Sequence, residues 1–146
     1  MIFTTYFANL KKLPKNIIPI SICGKAPLGY TGLQYKKLAP KYDFFMEWKE
    51  THDNTKYISC FNSRVLSVLT QEKVIEELTL LLSQEIRNKF DAFLPYSEDT
   101  YHIALVCYET PNSFCHRHLV ADWLNLFGLN CTEWEKKLKP IPMDNK

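Results

Sequence analysis

The stretch YHIALVCYETPNSFCHRHLVADWLNL, residues 101–126, decides how the chain is read. Ile103, Ala104, Leu105, Val106 and Cys107 form an apolar run of strand length, and Glu109-Thr110-Pro111-Asn112-Ser113 is turn-rich. Beyond the turn, Leu119, Val120, Trp123, Leu124, Leu126 and Phe127 recur at offsets of three and four and make one stripe. Arg117, His118, Ala121, Asp122 and Asn125 take the other side. The pattern predicts a strand, a loop and a helix over residues 115–127, capped by Asn112 or Ser113 and packed on the sheet to which its own strand belongs.

Cys115, His116, Arg117 and His118 then fall in the first helical turn, where backbone N–H groups point outward and the helix dipole is positive. Cationic side chains are disfavoured there by about 0.3–1 kcal/mol per charge, unless an anion rests among them. Backbone donors and an arginine fork at the end of a buried strand describe a phosphate or carboxylate site. The competing reading makes Arg117 an internal ion pair with Glu109 or Asp122 and leaves the histidines as packing residues.

The totals frame these expectations. A chain of 146 residues has the length of one domain and buries its core without needing metal or disulfide staples. Eighteen Lys and Arg against sixteen Asp and Glu leave a formal charge of +2, so no global basic field argues for nucleic acid and anion recognition has to be local. Five dispersed cysteines (Cys23, Cys60, Cys107, Cys115, Cys131) and an opening with neither a basic region nor an apolar core read as a reducing, cytoplasmic setting. No apolar run reaches the roughly 18–20 residues of a membrane span, so no membrane partner is expected.

Residues 2–7, rich in β-branched and aromatic side chains, predict a first strand, and residues 8–15 are too short and broken for a crossover helix. Residues 16–23 form a second apolar run, in which Pro19 removes a ladder donor and points to an edge or a bulge. It ends in a loop holding Gly24, Gly29 and Gly32, where glycine lets backbone approach a ligand and Lys25 offers a cation. Pro40 suits the first turn of an aromatic helix over residues 41–52, and residues 56–67 read equally as strand or short helix. A long amphipathic helix opens at Thr70 and runs to about Asn88 by its apolar repeat. A connecting loop spans residues 90–100, Gly128 caps the last helix, and residues 129–134 give a short final strand. Residues 1–139 thus form a single α/β domain, a small three-layer sandwich with a mostly parallel sheet and a C-terminal βαβ unit, and residues 140–146 are a flexible tail. In such sheets ligands lie beyond the carboxyl ends of the strands, where the loops at Lys25 and Glu109 should meet.

Ile103-Ala104-Leu105-Val106-Cys107-Tyr108-Glu109 followed by Cys115-His116-Arg117 opening a helix resembles the family called domain of unknown function 488, which includes the YeaO-like proteins. The similarity is good over residues 101–127 and fair over 35–80, where Leu38-Ala39-Pro40 precedes an aromatic helix. The family usually has a helix between its first two strands and an Asp-x-Arg after the second. This chain has about nine loop residues and then Ser21-Ile22-Cys23-Gly24-Lys25. Short members of this type look like phage or mobile-element proteins, which implies a host cytoplasm.

Among chemistries, the spacing argues against a phosphatase loop, because Arg117 follows Cys107 by ten residues and Cys115 by two. Cys107, Cys115, His116 and His118 match none of the paired-ligand zinc patterns, so no metal and no cofactor are expected. Two hypotheses remain. The first is a binder of a small phosphorylated, nucleotide-derived ligand, held by Arg117, His116, His118, Cys107, Glu109, Gly24 and Lys25, with Tyr30 against the base; a phage protein of this kind would sequester a nucleotide signal of host defence. The second is an enzyme on a similar substrate, with Cys115 as nucleophile or His116 as acid/base and Glu109 as its carboxylate partner. Oligomeric state is left open, a homodimer included.

Overall fold

In the computed structural model, which describes residues 1–89 and 101–136, the chain folds as an α/β domain around one five-stranded, all-parallel sheet. The strands are β1 (Ile2–Tyr6), β2 (Ile17–Ser21), β3 (Leu33–Gln34), β4 (His102–Cys107) and β5 (Thr132–Glu133), in the spatial order β3-β2-β4-β1-β5. The expected connecting loop over residues 90–100 and the flexible tail over 140–146 lie outside the described residues.

The apolar run singled out in the sequence becomes the central strand. Every residue of β4 from Ile103 to Cys107 is buried, as a parallel strand covered on both faces requires. One face carries Ile18, Ile20, Ile22, Ile103, Leu105 and Cys107 into the main core; the opposite face carries small groups such as Ala104, Val106 and Thr5. Over that second face lies the 3₁₀ turn Phe7–Lys12, whose Asn9 donates to Thr5 Oγ1 at 3.2 Å. Pro19 lies in the strand next to the sheet edge, paired on both sides, and not in an edge strand or a bulge. Ile22 N donates to Val106 O and Ser21 O accepts from Tyr35 N, so the alternation aims the missing Pro19 donor away from β4, toward the side where β3 pairs only from Ile20 onward.

Among the described residues, four α-helices complete the core: α1 (Tyr42–Thr51), α2 (Asn54–Phe61), α3 (Gln71–Lys89) and α4 (His116–Asn125). The ambiguous segment resolves as helix. His52 closes α1 in the left-handed conformation and Asp53 caps α2 by accepting from Lys56 N, so two helices follow with almost no linker; a π-helical turn, Asn62–Leu66, extends the second. Pro40 precedes the Lys41 cap and lies outside the first turn. In α3 the buried residues Val74, Leu78, Leu82 and Ile86 repeat every four positions, while Leu80 faces outward.

Two expectations are corrected around α4. Its cap is Cys115, not Asn112 or Ser113, because Cys115 is the last extended residue before the helix. Its buried stripe is His116, Arg117, Val120, Ala121 and Leu124, rotated from the apolar stripe by an arginine that goes inward; Leu126 and Phe127 are exposed. The βαβ reading holds in that β4, α4 and β5 follow one another with both strands parallel, and β1 is inserted between them. Leu105→Ala, at a fully buried position of β4, is expected to lower the unfolding free energy by about 2–5 kcal/mol in a urea titration. Leu126→Ala, at an 83% exposed position, should stay within about 0.5 kcal/mol of wild type.

Candidate functional site

The carboxyl ends of β2 and β4 and the start of α4 meet where the sequence placed them. Tyr108 Oη donates to Lys25 O at 2.6 Å and ties the glycine loop after β2 to the loop after β4. Gly24 and Lys25 are exposed in that loop, and the Glu109 side chain is exposed in its neighbour. Tyr30 is committed elsewhere: its hydroxyl donates to Leu33 O at 2.7 Å, its ring stands edge-on to Phe7, and burial pushes its hydroxyl up to about 12.

Arg117 is fully buried, and its charge is met inside the fold. Nε donates to Glu133 Oε1 and Nη2 to Glu133 Oε2, each at 3.0 Å, a bidentate pair. Nη1 donates to Glu109 O at 2.6 Å, and Thr4 Oγ1 donates to Glu133 Oε1 at 2.6 Å. The carboxylate partner is neither Glu109 nor Asp122, as the sequence had offered, but an acid sixteen residues on. Register explains it: Glu133 lies beside Thr4 on β1, so β5 delivers a carboxylate under the first turn of α4.

The thiols depart further from expectation. Cys107, the last residue of β4, and Cys115, the cap of α4, are joined as a disulfide, where the sequence reading left all five cysteines unpaired. Cys23, Cys60 and Cys131 are free; burial pushes the Cys23 and Cys131 thiols up to about 11, as small hydrophobes would behave. His116 Nδ1 stands 3.8 Å from Cys107 Sγ and 4.0 Å from Cys115 Sγ. Its Nε2 lies 2.7 Å from Ile22 O, a contact that needs a proton on Nε2 and leaves Nδ1 as a lone pair facing both sulfurs. Burial and, secondarily, the Arg117 charge push His116 down to about 4, although the Ile22 carbonyl favours its cation. The histidine is therefore a neutral base at physiological pH. Its orienting partner is a backbone carbonyl and not Glu109.

Arg117 Nη1 also approaches Cys107 Sγ at 3.8 Å, and its guanidinium lies 5.8 Å from the Tyr6 ring centroid. Phe61 packs on the His116 ring, and Trp48 and Tyr57 pack on Phe114, so α1 and α2 wall the site with aromatic rings. His118 is half-buried with Nε2 unpartnered, and burial holds it below the usual histidine range. A separate cleft of about 470 Å³ lies along the other side of α4, lined by Leu66, Leu119, Trp123 and Leu126 among others.

The DUF488-N3a profile, described as the active DUF488-N3 subclade, matches residues 12–128. The chain belongs to this family. Among curated proteins and among solved structures nothing matches. The matched span takes in both cysteines, His116 and Arg117 but stops short of Glu133, which the sequence reading also missed. An acidic residue in a two-residue strand looks like any solvated one, and only the register beside Thr4 marks it. The disulfide had a legible signal, since a strand end and a helix start joined by a short turn must lie close together.

Two outcomes follow from this geometry. Glu133→Ala strands a buried guanidinium and should cost about 3–5 kcal/mol in chemical unfolding, much of it recovered when Arg117→Met is added. The His116 value, depressed from 6.5 to about 4, means that the unfolded chain binds a proton more readily than the folded one. Its contribution is full above pH 6.5 and fades as pH falls toward 4, by on the order of 3 kcal/mol. The difference in unfolding free energy between wild type and His116→Gln, followed across that window, should shrink accordingly.

Proposed function

We propose that the protein is a cysteine-dependent enzyme acting on an electrophilic, nucleotide-derived substrate, with Cys115 as nucleophile, His116 as base and Cys107 as the partner that stores Cys115 as a disulfide. The supporting observation is the convergence of both sulfurs on the free Nδ1 of one buried, backbone-anchored histidine. That is the nucleophile, base and orienting group of covalent catalysis.

A thiol reductant opens the disulfide: two reductant thiols become a disulfide, and Cys107 and Cys115 take up their two protons. His116 Nδ1 then accepts the Cys115 proton, with the start of α4 favouring the thiolate. The sulfur attacks the electrophilic centre and forms a bond to it, and the leaving group departs with its bonding pair and the proton held on His116. Water hydrolyses the intermediate and restores the thiol. Lys25, exposed beside the Tyr108 loop, is the cation we assign to the substrate phosphate. In a phage or mobile-element setting such an enzyme removes a nucleotide signal of host defence.

The alternative, a binder that holds an anion through Arg117, asks that guanidinium to abandon Glu133; the thiol reading requires no such rearrangement. The reduced chain is to be incubated with cyclic dinucleotides, ADP-ribose derivatives and mononucleotides, and the nucleotides separated by chromatography. Conversion is expected only after reduction, with a loss of about 10²–10⁴-fold in His116→Asn and none left in Cys115→Ser. Turnover by Cys115→Ser at the wild-type rate, or recovery of every nucleotide unchanged from reduced wild type, overturns the proposal.

A further inference from the structure

The same three side chains carry a second inference, which does not depend on turnover. We infer that in the reduced chain Cys107, Cys115 and His116 form a three-ligand site for a thiophilic divalent cation, Zn(II) being the best fit. Their ligand atoms lie within 4.8 Å of one another, all three residues are buried, and they belong to elements fixed by the core.

The geometry is specific. Zinc takes thiolate sulfur at about 2.3 Å and imidazole nitrogen at about 2.0–2.1 Å in a tetrahedral shell, which puts sulfur and nitrogen roughly 3.6 Å apart and two sulfurs roughly 3.8 Å apart. The two nitrogen-to-sulfur edges, 3.8 and 4.0 Å, are already near that length. Only the sulfur-to-sulfur edge has to open, by breaking the disulfide. The Cα atoms are 7.4 Å apart.

The surroundings fit as well. Nε2–H of His116 is donated to Ile22 O, the outer contact that metal-bound histidines usually make, and it leaves Nδ1 as the donor atom. Arg117 Nη1, 3.8 Å from Cys107 Sγ, supplies a donor to one thiolate, and Glu133 cancels its charge. Two thiolates and Zn(II) are neutral together, which suits a buried position better than free thiolates. Three protein ligands leave the fourth position for water or a substrate atom, the arrangement of catalytic rather than structural zinc.

Oxidation then exchanges one state for the other. With a hydroperoxide, the two thiolates lose two electrons and form the S–S bond, both Zn–S bonds break, and the peroxide takes two electrons and two protons to give water and an alcohol.

The test uses cobalt(II) added to the full-length reduced chain under argon. Thiolate-to-cobalt charge-transfer absorption and tetrahedral visible bands are expected, saturating at one ion per chain, displaced by zinc, and lost on adding tert-butyl hydroperoxide as the 107–115 disulfide forms. Cys107→Ser and Cys115→Ser should lose the charge-transfer band or most of its intensity, with folding checked by circular dichroism. Cys23→Ser and Cys131→Ser should keep it. Absence of the bands in folded, reduced wild type, or their persistence in Cys107→Ser and Cys115→Ser together, refutes the site. Iodoacetamide labelling of Cys115 in the metal-free reduced chain reports thiol reactivity separately, so the two proposals can fail independently.

Discussion

A buried arginine determines how this fold closes. Arg117 leaves water entirely, and the energy of that move has to be returned by partners of good geometry, since an unpaired guanidinium in the core costs several kcal/mol. Four contacts return it: two from Glu133, one from the Glu109 carbonyl, and the Cys107 sulfur at longer range. The three partner residues lie on different pieces of chain, so one side chain binds the start of α4 to the last strand, to the end of the central strand and to the loop that follows it. Thr4 adds β1 by bonding the same carboxylate. The last strand, two residues long, is thereby anchored by an ion pair in addition to its few ladder bonds.

The arrangement of His116 and the two cysteines follows from that anchoring. With Arg117 turned inward, its neighbour His116 is rotated against the end of β2, where Ile22 O receives its Nε2 proton. Cys115, one residue earlier, is left at the cap beside Cys107. The positive groups at the start of the helix, which local helix energetics disfavours, are explained by this without an outside anion. Arg117 is compensated from within, and His116 carries no charge because burial outweighs the pull of its carbonyl partner.

Much of the fold was legible in the sequence because it rests on periodicity. The short apolar run at 103–107, bounded by turn residues, read as a strand and is buried on both faces, and the apolar repeat after Thr70 read as one long amphipathic helix, whose buried face is Val74, Leu78, Leu82 and Ile86. Two kinds of information were not local. The rotation of α4 depended on a carboxylate sixteen residues away, and a hydrophobic stripe cannot show that an arginine will be buried in preference to Leu126. The pairing of Cys107 with Cys115 was obscured by an argument from compartment, although disulfides in reducing settings are commonly catalytic or redox-sensing and do not require an oxidising environment. β3, two residues after a glycine loop, carries too little pattern to stand out from the turn before it.

Charge accounting limits what the site can do. Arg117 and Glu133 cancel, so the remaining groups sit in buried surroundings of low dielectric. The disulfide, the dithiol with neutral histidine, and a zinc dithiolate are all neutral there and can persist. A lone thiolate is not neutral, and the Cys23 thiol, raised to about 11 by burial close by, shows how strongly this core resists one. A thiolate–imidazolium pair is neutral as a unit, and the attraction across 4.0 Å raises the His116 basicity that burial had depressed. Such a pair lies above the dithiol in energy, so on the proposed mechanism the nucleophile would form only when an electrophile or a metal arrives to share its charge, and would otherwise stay protonated or bonded to Cys107. The burial that makes the thiols inert at rest is thus what makes their reaction depend on the partner that enters.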